Sequence, residues 1–145
     1  MIKQKSNFLT KITILTPLIT YLPIFMVFIV MKVKIGQNIF KVKTLIDDES
    51  KSIGMMGKKF DKTFNGLLFL MGGDKQSFWM KNCIIPLDII IIKNNVIVNI
   101  HHDCPPCEGE YCGSYGGNGN IVLEIKGGVC ERLGIEAGDT VEYLF

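Results

Sequence analysis

The apolar positions of this chain change rhythm several times. Four consecutive isoleucines, Ile89 to Ile92, stand between Asp88 and Lys93. A run that is apolar at both parities predicts a strand covered on both faces, and therefore one at the centre of a domain. Just before it, Gln76 to Lys81 carries the aromatic and apolar residues of a second strand. Pro86 fits at the entry of the isoleucine strand, because it has no N–H to give to a ladder. The two segments are expected to be neighbouring extended pieces inside one barrel-like body. Parity puts Trp79 and Lys81 on one face and Phe78 and Met80 on the other.

Weaker rhythms fill in the rest. Lys32 to Ile35 and Ile39 to Leu45 alternate apolar and basic residues around Gly36-Gln37-Asn38, a hairpin signal. Asp47 or Asp48 can cap a short helix running to about Met56, with Gly57 as its stop. Gly66 to Leu70 predicts a short buried strand, and Asn94-Asn95 a two-residue turn with positive φ. Asp103 to Asn120 predicts a long irregular loop, rich in Gly, Pro and Cys. In Ile121 to Lys126 the apolar positions alternate, which assigns Glu124 with Lys126 to a solvated face. Gly128 to Leu133 predicts a second helix stopped by Gly134, and Thr140 to Phe145 a last strand. The expected fold is α+β and predominantly β: a curled sheet or barrel-like sandwich of about seven short strands with two short helices, formed by residues 32–145 as a single domain.

A hydrophobic N-terminal helix is expected before it. Ile12 to Val30 is uncharged and follows Lys3, Lys5 and Lys11. At about 1.5 Å per residue it reaches most of the way across a bilayer core. No small-x-small cleavage site follows, so residues 1–31 read as a membrane anchor, or as a spurious extension if translation starts at Met31. The first reading places the protein at the membrane or outside the cytoplasm, and the second inside it. Composition adds one exclusion. Beyond residue 30 there are 13 basic and 14 acidic residues. A domain so near neutrality offers no electrostatic footprint for nucleic acid.

Several short stretches, taken in order, resemble one family. They are Gly54-Met55-Met56-Gly57-Lys58, Gly66-Leu67-Leu68-Phe69, Phe78-Trp79-Met80-Lys81-Asn82, Ile85-Pro86-Leu87-Asp88, Leu123-Glu124 and Gly138-Asp139. Together they resemble the domain of unknown function 192 family over roughly residues 32 to 145. The resemblance implies a small β-rich fold with short helices, often behind an export signal or lipid anchor, and no established activity. Lys58 stands where the family usually has arginine, and Cys83 where threonine is common.

Candidate chemistry is sparse. Trp79 is expected in the core, where Trp79→Ala would cost about 3–5 kcal/mol. As a functional residue it would form the floor of a ligand pocket. Lys81 and Asp88 bracket a turn and suggest an ion pair. A pocket of Trp79, Lys81, Asp88, Tyr115 and Glu124 would suit a small polar ligand, and a protein partner is the other possibility for a binding domain. An acid–base enzyme would draw on Lys81, Asp88, Glu124 or His101, but nothing pairs these residues at a reaction centre.

The cysteines raise three possibilities. Cys83 and Cys130 read as inert buried thiols. Cys104 and Cys107 enclose two prolines. An extended Pro-Pro spacer separates their Cα atoms by roughly 9 Å, beyond the reach of about 7 Å for a disulfide. Cys107 and Cys112 form the better pair: four residues including Gly109 let the chain turn back, and many relatives carry a similar pair. A disulfide there implies an oxidising compartment. Zinc is the rival and would use His102 (or His101), Cys104, Cys107 and Cys112. No other cofactor is suggested.

Overall fold

A computed structural model describes residues 31–145. The stretch from Ile12 to Val30 lies outside the described residues. Among those described, no helix is long and apolar enough to cross a membrane.

The chain opens with a hairpin of β1 (Met31–Ile35) and β2 (Asn38–Leu45), with Ile35 opposite Asn38 and Gly36 at φ 59°. Val33, Ile35, Phe40 and Val42 are buried, while most of the intervening lysines face outward. Helix α1 (Asp48–Ile53) begins where the Asp47 carboxylate accepts the Ser50 N–H at 2.8 Å. It stops at Gly54, not at Gly57. The chain turns there at φ 46° against the ring of Phe69, a conformation and a space that suit glycine.

Strands β3 (Gly66–Leu70) and β4 (Lys75–Trp79) follow, then β5 (Leu87–Lys93) and β6 (Val96–Cys104). Asn94 and Asn95 join the last two at φ 51° and 60°, the values a type I′ turn needs. After β7 (Ser114–Asn118) and β8 (Ile121–Lys126) come α2 (Val129–Leu133), ended by Gly134 at φ 67°, and β9 (Val141–Leu144).

Seven strands form one sheet in the order β6-β5-β8-β3-β2-β1-β9, antiparallel except where β2 meets β3. The sheet curls until its edges touch at one end: the Ile97 N–H reaches Asp139 O at 2.9 Å and the Val141 N–H reaches Asn95 O at 2.8 Å. The inner face holds one core, built from strand residues such as Val33, Leu68, Ile90, Ile92 and Leu123 with Cys130 of α2. The outer face carries a second, around Leu67, Phe69, Ile89, Ile91 and Val122. Ile89 to Ile92 are fully buried because β5 faces both cores.

The Trp79 segment departs from expectation. Strand β4 does not pair with β5. It pairs with β7 in a separate two-stranded ribbon over the outer face, Trp79 opposite Ser114 and Phe78 opposite Tyr115. The stretch expected to be one irregular loop thus supplies the end of β6 and the whole of β7. Its glycines have a packing reason: a Cβ on Gly117 would lie 2.5 Å from Ile91 Cδ1, and one on Gly119 2.5 Å from Ile92 O. Only a chain without side chains at those points lies so flat on the sheet.

Candidate functional site

Between α1, the outer end of β3 and the edge of the ribbon is an open cleft of about 430 Å³. Met55, Met56, Phe69 and Phe78 supply its apolar wall, with Trp79 and Ile53 exposed at the rim and Cys83 and Glu124 within. At the mouth, Lys51 Nζ lies 3.5 Å from an Asp48 oxygen and donates to Leu70 O at 3.2 Å.

Glu124 does not lie on a wet face. Its strand, β8, is flanked by β3 and β5, which place Leu67 and Ile89 directly beside it. The outer face there is covered, and Glu124 is only 4% exposed. Its Oε2 has no hydrogen-bond partner among the described residues. Burial pushes its pKa up to about 8, because a low-polarity surrounding disfavours the carboxylate. The same cause, with Glu124 as a second contribution, pushes the Cys83 thiol up to about 11. Cys104, also buried, is pushed up to about 11.

Asp88 is fully buried but fully employed. Its Oδ1 accepts the N–H of Asp103 at 2.7 Å and of Gly128 at 3.0 Å, and its Oδ2 accepts that of Cys130 at 2.7 Å. It ties the end of β6 and the start of α2 to the centre of the sheet. The expected ion pair with Lys81 does not form: Lys81 Nζ donates to Gly109 O instead.

Trp79 is 54% exposed, so its placement in the core is corrected. Parity had placed it rightly opposite Phe78 and Met80. Because the ribbon is an added layer, its outward face meets solvent. Tyr115 sits under the ribbon with its ring edge-on to His101, centroids 5.4 Å apart, and burial raises its phenol pKa. His101 Nε2 is 2.8 Å from Gly116 O. The five residues expected to form one pocket are therefore dispersed: Trp79 and Glu124 share the cleft, while Lys81, Asp88 and Tyr115 serve other contacts.

Cys107 and Cys112 are joined in a disulfide. The loop it closes is fastened to the segment after β4, with the Cys107 N–H on Met80 O at 3.1 Å and the Asn82 N–H on Cys107 O at 3.0 Å. The zinc set of His102, Cys104, Cys107 and Cys112 is not assembled. Two of its thiols are consumed by the disulfide, and among the described residues no three His, Cys, Asp or Glu side chains are grouped for a metal.

Sequence reasoning missed Met55, Met56, Phe69 and Cys83 as parts of the cleft. The one signal for Cys83 was its departure from the threonine common in similar chains. The methionines and Phe69 stand in stretches that carry the family resemblance, but nothing local assigns them to a cleft, since their role depends on how the turn after α1 folds back.

The chain belongs to the DUF192 family, described as an uncharacterised ACR, which matches residues 29–143. No curated protein matches it. Two crystal structures are similar. A protein of unknown function from Novosphingobium aromaticivorans is 32% identical, with a TM-score of 0.66 over 79% of this chain and 84% of that one. A candidate transcription regulator from Sinorhizobium meliloti is 26% identical, with a TM-score of 0.67 over 78% of this chain and 91% of that one.

Proposed function

We propose that this is a non-enzymatic binding domain, exported or held at a membrane by its N-terminal segment, that takes a small amphipathic molecule into the Glu124 cleft. One observation carries the reading: a buried carboxyl, whose Oε2 has no hydrogen-bond partner among the described residues, lines a cleft with an apolar wall and an exposed tryptophan at its rim. A polar group so placed is costly unless something completes its hydrogen bonds. A ligand that buries its apolar part against Met55 and Phe69 and presents a polar end to Glu124 would do so.

Binding is favoured over catalysis because, among the described residues, Glu124 Oε2 has no hydrogen-bond partner to work with. The neighbouring Cys83 thiol is pushed up to about 11 and so is a poor nucleophile at neutral pH. Asp88, the nearest strand's carboxylate, is occupied by backbone N–H groups. The near-neutral charge gives no reason to extend the transcription-regulator description of the Sinorhizobium protein to this chain. The disulfide supports an oxidising location.

The test uses N-phenyl-1-naphthylamine, a neutral apolar fluorophore, titrated into the ¹⁵N-labelled domain. Saturable amide shifts at residues 53–56, 77–79, 83 and 124 are expected, with a change in Trp79 emission. Shifts elsewhere, or none, would overturn the reading. For location, the intact mass of the native protein should include residues 1–30 and show one disulfide. A start at Met31 with five free thiols would contradict export.

A further inference from the structure

We infer that the cleft is selective for a primary amine carried on an aromatic or aliphatic body, with the ammonium paired to Glu124. This deepens the cleft reading above and rests on it. Glu124 lines the cleft, and its buried Oε2 receives no N–H or O–H among the described residues. A ligand in the cleft can supply the missing donor. An ammonium offers three donors and a charge, and a charge-assisted bond to a carboxylate is roughly twice as strong as a neutral one. The wall suits the same ligand. Phe69, Phe78 and Trp79 present aromatic surface that attracts cations, and Met55 and Met56 add polarisable thioethers.

The groups around Glu124 leave it free for that pairing. Strands β3 and β5 bring Leu67 and Ile89, which do not titrate. The segment after β4 brings Cys83 and β6 brings Cys104, both held neutral by burial. At the mouth, Lys51 is balanced by Asp48 at 3.5 Å. Lys58 donates to Gly54 O at 2.9 Å, and Lys81 is turned to the disulfide loop. At neutral pH the empty site holds a protonated carboxyl. An ammonium entering it converts Glu124–COOH to the carboxylate and releases that proton to solvent, so charge and atoms balance. Affinity for an amine must then rise with pH, by about tenfold per unit, until the carboxyl is ionised without help.

The experiment is calorimetry with four probes of one shape: 2-phenylethylamine, 2-phenylethanol, phenylacetamide and 3-phenylpropionate. The amine should bind about tenfold or more tighter than the alcohol at pH 7.5, releasing roughly three-quarters of a proton as judged in buffers of different ionisation enthalpy. Glu124→Gln should abolish both the preference and the proton release. If alcohol or amide binds in the cleft as well as the amine, with no proton released, the amine inference fails and the cleft reading stands. If no probe perturbs the cleft amides, both fail. Glu124→Asp guards against misfolding: it keeps the acid, and some amine preference must survive in it.

Discussion

Asp88 and Glu124 lie on adjacent strands of one sheet and face opposite sides of it. Asp88 stands opposite Ile125, toward the inner core, and Glu124 stands opposite Ile89, toward the outer one. Two buried carboxyls thus have different fates. One is saturated by three backbone N–H groups. The other is left open at a cleft.

That difference sets the first prediction. Asp88→Ala strands three backbone donors in the interior and should cost about 3–5 kcal/mol. Asp88→Asn keeps one acceptor oxygen and should cost less. Urea denaturation checks both. Loss of under about 1 kcal/mol in the alanine variant would mean that the carboxylate is not what holds α2.

Glu124 makes stability depend on pH. Its folded pKa, about 8, lies above the ordinary 4.5. The folded state therefore keeps a proton that the unfolded state gives up. Its stabilising contribution is complete below about pH 4.5 and is lost as pH rises to about 8. Wild type should lose stability relative to Glu124→Gln across that window and run parallel to it above. Thermal unfolding of the pair at half-unit steps measures this, and parallel curves throughout would contradict it.

The disulfide closes a loop of sequence separation 5. Cys112→Ser should lower stability by about 2 kcal/mol. Amides of Met80 to Cys83 should exchange faster, because the loop's bonds to Met80 and Asn82 are loosened. Hydrogen exchange of the two proteins compares them directly.

Gly117 in the ribbon and Gly119 just after it should respond unequally. A Cβ at Gly119 meets the backbone oxygen of Ile92, whereas one at Gly117 meets the tip of the Ile91 side chain. Gly119→Ala should cost about 1–3 kcal/mol, and Gly117→Ala clearly less, since an isoleucine rotamer yields more readily than a strand. Equal costs in denaturant would contradict the packing account.

Trp79→Ala should change stability by less than about 1 kcal/mol, because the ring is 54% exposed. A loss near the 3–5 kcal/mol expected of a core tryptophan would restore the sequence-based reading.

Much of the frame was legible in the residues. The lysine-spaced hairpin, the Asn94-Asn95 turn and the doubly buried isoleucines each follow from local rules of period and φ. What those rules do not contain is a covering layer. Trp79 looked internal because nothing local says that its strand pairs with β7 above the sheet. Glu124 looked solvated because alternation with Lys126 marks a polar face only when that face stays bare. The glycines of β7 looked like loop, although they are what lets a strand lie close to β5. The site arises where the ribbon and α1 cover the sheet incompletely, a property of tertiary contact rather than of any short segment. The Cys107–Cys112 pairing was legible in part, from a short spacer that lets the chain turn back and from the similar pair that the family resemblance implies.

The most direct measurement is a ¹³C NMR titration of the Glu side-chain carboxyls in wild type and Glu124→Gln. One resonance, missing in the variant, should titrate near pH 8 and move to a lower midpoint when 2-phenylethylamine is saturating. A Glu124 resonance that titrates near 4.5 with or without the amine would contradict the account of an open, unpaired carboxyl.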